Sequence, residues 1–146
     1  MYIPIFLGAS AASAEIAGPG RFCGYSPIID LKAGERVIPL QGGIHVGSFR
    51  WEGAFGALEV EGVGWASKPR GRATQKRTTT GQTRFTERRE GGRFTVAIWN
   101  RGHGAAYFSS PRPITPEQIK AIDRVYLFEE GEEPEGCNLR TIFSWG

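Results

Sequence analysis

The sequence predicts a mainly β domain, an antiparallel β-sandwich or open barrel with one short helix and one disulfide. Three observations predict it. Residues 42–65, GGIHVGSFRWEGAFGALEVEGVGW, alternate apolar and polar side chains on both sides of a Gly53-Ala54-Phe55-Gly56 reversal, which is the period of a strand with one face buried. Residues 93–100, RFTVAIWN, repeat the alternation. The 146 residues include 21 glycines, 9 prolines and 12% aromatics, a balance suited to a sheet with many tight turns. The length is that of one domain able to bury its own core.

The chain opens MYIPIFLGASAASA, an apolar stretch followed by small residues, with Ala12-Ser13-Ala14 standing before Glu15 in the form of a secretory cleavage site. The expected organisation is a signal peptide over residues 1–14 and a single β-rich domain over 15–146. No basic residue precedes the apolar stretch, so a first strand is the competing reading. No apolar run approaches the roughly 20 residues needed for a spanning helix. The two cysteines, Cys23 and Cys137, lack the CxxC spacing of metal or redox sites, and outside the reducing cytosol they would pair with each other. Closing a loop of about a hundred residues contributes on the order of 4 to 5 kcal/mol in the chain-entropy description.

Residues 27–32 and 36–40 are short expected strands about Ala33-Gly34-Glu35, and Pro39, which has no N–H to donate, places the second at an edge or a strand end. In the hairpin that follows, pairing Trp51 with Leu58 also pairs Phe49 with Val60 on the buried face and Arg50 with Glu59 on the other. Gly47 and Gly62 coincide with apparent changes of apolar phase, which predicts bulges or bends there.

Residues 66–93 change character. They hold nine of the eighteen basic residues against Glu87 and Glu90, and Phe85 is nearly their only large apolar side chain. A long exposed excursion is expected, partly a Thr-rich ribbon, with Arg84, Arg88 and Arg89 as candidate anion-binding residues. A solvated loop is the plainer reading. Beyond it, residues 93–100 direct Phe94, Val96 and Ile98 to one face and Trp99 to the other, and residues 105–109 return as a strand.

The one clear helix start lies in residues 113–123. Thr115 can cap, Gln118 can close the capping box, Pro116 occupies the first helical position and Ile114 can staple to Ile119. Residues 124–129 then resume a strand, an acidic loop follows with Glu129, Glu130, Glu132, Glu133 and Glu135, and residues 139–145 form a last strand. That loop lacks the ligand spacing of a calcium site.

Histidine is the natural base near neutral pH, which makes His45 and His103 candidate catalytic residues, with Glu59 and Glu61 as carboxylates sharing one sheet face about 7 Å apart. No HExxH, GxSxG, P-loop or GxGxxG unit occurs, so no cofactor or metal is expected. Trp65 and Trp99 are candidate stacking surfaces for a sugar or peptide. The leading expectation is an exported, non-enzymatic binding or envelope-associated module using the Arg-rich excursion and a neighbouring aromatic face. Its partner would be an anionic polymer, a glycan or another envelope protein. The alternative is a small hydrolase with a histidine and a carboxylate. The net charge of +3 permits nucleic-acid binding, but export and the absence of interleaved aromatics in the basic stretch count against it.

Overall fold

The structure, a computed structural model, describes residues 15–43, 46–78, 80–128 and 134–139. The expected leader, His45, the glutamates 129, 130, 132 and 133 and the last strand past Leu139 lie outside the described residues. In chain order the elements are β1 (Ile16–Ala17), β2 (Gly20–Cys23), β3 (Pro27–Leu31), β4 (Arg36–Gly43), β5 (Val46–Gly53), β6 (Gly56–Val63), β7 (Ala73–Arg77), β8 (Thr83–Glu90), β9 (Arg93–Asn100), β10 (Gly104–Ser110), α1 (Pro116–Ile122) and β11 (Tyr126–Leu127). An eight-stranded antiparallel sheet runs β1-β4-β5-β6-β10-β9-β8-β7, and a three-stranded one runs β11-β3-β2.

The two sheets stack as a sandwich because each buries one face against the other. From the large sheet come Val37, Phe49, Trp51, Leu58, Val60, Val96, Ile98, Ala106 and Phe108; the small sheet supplies Phe22, Ile29, Leu31 and Leu127, and the helix side Ala121, Ile122 and Val125. Phe22 meets Phe49 edge-on at 5.0 Å, which joins the layers. Trp51 is fully buried beside Phe55 and Phe108. The hairpin has the expected register, Trp51 opposite Leu58, Phe49 opposite Val60 and Arg50 opposite Glu59. Arg50 nonetheless bonds Glu52 two residues away at 2.7 Å, while Glu59 pairs with Arg93 at 3.5 Å.

The expected bulges at Gly47 and Gly62 are absent. These glycines face each other in an unbroken ladder, Gly47 opposite Gly62 and Val46 opposite Val63. The phase never changes. Both glycines stand on the core face under the chain at residues 25–27, which leaves no room for a side chain at Gly62, where a Cβ would sit 2.5 Å from Pro27 Cδ, but ordinary contact room at Gly47, where it would sit 3.4 Å from Tyr25 Cβ. The irregularities fall elsewhere, at Pro39/Gln41 in β4, where the missing proline N–H breaks the ladder, between Ala73 and Arg77 in β7, and between Phe85 and Arg88 in β8.

The basic stretch is an exposed excursion only in part, over most of residues 67–72, and the expected ribbon belongs to the sheet. The second half of the stretch is the β7–β8 ribbon at the far edge of the large sheet, with Phe85, Thr78 and Gln82 buried. Gln82 donates to the Val125 carbonyl at 3.1 Å and accepts from the Leu127 N–H at 3.2 Å, so the ribbon is clamped to the chain after the helix. The helix has the expected cap: Thr115 accepts from the Gln118 N–H and Gln118 returns a bond to the Thr115 backbone. The following strand is only Tyr126–Leu127. Cys23 and Cys137 are joined, with Cα atoms 5.7 Å apart across 114 residues. Beside the bond, Leu139 donates to Arg21 O and accepts from Cys23 N–H, which binds the tail to β2.

Glu35 and Arg124 form the most enclosed ion pair among the described residues, at 2.7 Å. Arg124 also donates to the Asp30 carbonyl and lies over the Trp51 ring, linking the β3–β4 turn, the helix end and the large sheet. Burial disfavours the charged Glu35, but hydrogen bonds from Arg124 and the Lys32 N–H outweigh it and hold its carboxyl below the usual range. The Trp51 indole N–H favours the same charge from nearby without closing a full hydrogen bond.

Two measurements check this packing. Glu35→Gln is expected to destabilise most above about pH 4.5, where the depressed carboxyl is ionised in both states; in urea unfolding the gap to the wild type should narrow as pH falls through the folded pKa, and a pH-independent gap would contradict the pairing. Gly62→Ala is expected to cost about 1–3 kcal/mol against the rigid proline ring, while Gly47→Ala stays within about 1 kcal/mol of the wild type.

Candidate functional site

A strand that commits alternate residues to the core commits the others to the opposite face, and on the large sheet that face carries a cleft of 770 Å³. Its floor is laid out by register. One row across the strands runs Ser48, Glu61, Tyr107, Ala97, Phe85; the next runs Arg50, Glu59, Ser109, Thr95, Arg88. Within a row neighbours are about 4.8 Å apart, and the rows are separated by about 7 Å. The small residues Ala97, Thr95 and Ser109 make a depression between the acidic edge of β6 and the Phe85 and Arg88 edge of β8. Glu90 and Arg93, opposite each other at the β8–β9 turn, close one end.

The far wall comes from the chain between β6 and β7, which crosses this face instead of continuing to a neighbouring strand. Trp99 donates its indole N–H to the Ala66 carbonyl at 3.1 Å, which pins the crossing segment down. Pro69 is buried beneath it and Arg70 lines the cleft. Gly71 passes close against Arg88 with φ +103°, a conformation and spacing that suit glycine.

The cleft interleaves guanidinium groups with carboxylates. Arg93 pairs with Glu59 at 3.5 Å and donates to Ser109 Oγ at 3.2 Å; Arg88 lies 3.3 Å from Glu90. Tyr107 stands half-buried between them. Its phenol is held above the ordinary range, first by burial and then by the negative charges of Glu61 and Glu90, so at neutral pH it is a protonated hydroxyl able to donate. Among the described residues no group of three His, Cys, Asp or Glu is placed to hold a metal ion.

The sequence candidates divide on this geometry. Arg88, Glu59 and Glu61 line the cleft. Arg84 points to the other face and binds Asp123 at the helix end through both carboxylate oxygens, at 2.5 and 2.6 Å. Arg89 lies over the Phe94 ring. Trp99 is half-buried under the crossing segment, whereas Trp65 is 74% exposed. His103 is half-buried in the β9–β10 turn, with Nδ1 3.2 Å from the Arg101 carbonyl and its own carbonyl accepting from Ser26 Oγ. The contributions of Tyr107, Arg93, Glu90 and Arg70 were not singled out by sequence. Tyr107 had a signal, since it lies out of phase with the core residues Ala106 and Phe108.

Comparison with known protein families, curated proteins and solved structures finds no match to this chain.

The two arginines separated by this geometry should behave differently. Arg84→Ala is expected to cost about 1–3 kcal/mol by removing a partly buried, doubly bonded ion pair between sheet and helix, while Arg88→Ala stays within about 0.5 kcal/mol. Equal losses in thermal or urea unfolding would contradict the assignment of Arg88 to an open cleft.

Proposed function

We propose that the protein is an exported, non-enzymatic binding module whose ligand, a polar chain such as a glycan or another envelope component, lies in the cleft on the outer face of the large sheet. The observation that carries the reading is a floor of Ala97, Thr95 and Ser109 sunk between arginine and glutamate walls with Tyr107 beside it. Binding sites combine such a concavity with a few convergent polar groups. Export is supported by the Cys23–Cys137 bond, which persists in oxidising compartments.

A hydrolase is the second reading, and the placement of Glu59 and Glu61 favours it: they stand two residues apart on the cleft face of β6, their backbones about 7 Å apart, and a pair of carboxylates flanking the bond is what glycoside hydrolysis uses. Any turnover in this cleft would depend on those two residues. His103 does not line the cleft.

Thr95→Trp, which fills the floor from the open side, tests both. Retention on a panel of immobilised polysaccharides and anionic polymers is expected to fall at least tenfold while thermal stability changes little. Undiminished retention would remove the cleft as the site. Release of soluble fragments by the wild type, lost in Glu59→Gln or Glu61→Gln, would replace the binding reading with the hydrolytic one.

A further inference from the structure

We infer that the cleft selects a saccharide bearing carboxylate groups, a uronic-acid type of chain, over both neutral and densely sulfated or phosphorylated polymers. This deepens the binding reading above and rests on it. Charge spacing sets the selection. Three arginines, Arg70, Arg88 and Arg93, and three glutamates, Glu59, Glu61 and Glu90, line the same concavity. They are interleaved, Arg93 against Glu59 and Arg88 against Glu90. A polymer with an anionic group at every position would set charge directly against the glutamates, and like charges brought together across an interface disfavour the wrong partner. A neutral chain would give the guanidinium forks no anion. A sugar ring with one carboxylate and several hydroxyls supplies both partners, because the carboxylate takes two parallel N–H bonds from an arginine fork while ring hydroxyls donate to the glutamates. Tyr107, half-buried at the edge of the small-residue floor, offers an apolar ring face with a polar tip for the sugar plane.

Arg88 and Arg93 carry the selection. Each is already held in the cleft through a glutamate and a neighbouring contact, Arg93 by Ser109 and Arg88 by the close passage of Gly71. Their forks are therefore partly ordered before any ligand arrives, which lowers the entropy lost on binding.

The test is calorimetric titration of the intact, disulfide-bonded protein with three probes of one backbone: a galacturonic acid oligosaccharide, the same oligosaccharide methyl-esterified, and a sulfated form. Amide shifts of Thr95, Ala97 and Tyr107 are followed in parallel. The acid form is expected to bind at least tenfold more tightly than either counterpart. Arg88→Lys and Arg93→Lys, which keep the charge but lose the fork, should each erase on the order of tenfold of that preference, while Lys120→Ala on the exposed side of the helix changes nothing. If the ester binds as well as the acid, or the sulfated form binds best, the selection is overturned while the cleft survives as the site. If no probe moves the cleft amides but another polysaccharide does, the uronate class is likewise overturned. If nothing that binds the protein moves them, the cleft reading falls with it.

Discussion

The ladder of β5, β6, β10 and β9 assigns every side chain on four strands to one of two faces, and the rest of the structure follows from that assignment. Phe49, Trp51, Leu58, Val60, Phe108 and Val96 take one face and become the core. The register that stacks them also stacks Glu61, Tyr107 and Ala97, and then Glu59, Ser109 and Thr95, on the other. Core and cleft are two sides of one pattern. A one-residue slip would exchange them, so burial of the large aromatics fixes the cleft's composition as firmly as it fixes the fold.

The stacking of the second sheet exacts a local condition from the first. The chain at Ser26 and Pro27 lies so close over Gly62 that the core face has no room for a side chain there, while at Gly47 a Cβ would meet Tyr25 at ordinary contact distance. The phase change suggested by Val46 and Val63 is therefore not a change at all. Those valines belong to the outer face, in a row with Ala105, Trp99 and Thr83, and that row lies at the end where the segment after β6 crosses over. At that end the Trp99 indole, bonded to the Ala66 carbonyl, holds the segment that walls the cleft.

Local pattern made several elements legible. The Trp51–Leu58 register, residues 93–100, the Thr115 cap and the Cys23–Cys137 pairing are each written in neighbouring residues, or in the arithmetic of two cysteines. The basic stretch was legible only as a ribbon, since its composition is that of a solvated loop and its ordering comes from partners far away: Gln82 from Val125 and Leu127, Arg84 from Asp123. Arg88 reaches the cleft only because β8 is irregular between Phe85 and Arg88, which brings two residues three apart onto the same face; no glycine or proline marks the place. The cleft was half legible. Glu59 and Glu61 could be placed on a shared face, but nothing local says that β10 and β9, and not another strand, lie beside them.

The most direct measurement is a cross-strand nuclear Overhauser experiment on the Ala97 and Ala106 methyl groups. Residues directly opposite in an antiparallel ladder hold their Cβ atoms about 4.5–5.5 Å apart. Ala97 is expected to contact the rings of Tyr107 and Phe85, and Ala106 the side chains of the core. Ala97 among the core aromatics, or Tyr107 opposite Val60 or Gly62, would exchange the two faces and contradict both the packing and the cleft drawn from it.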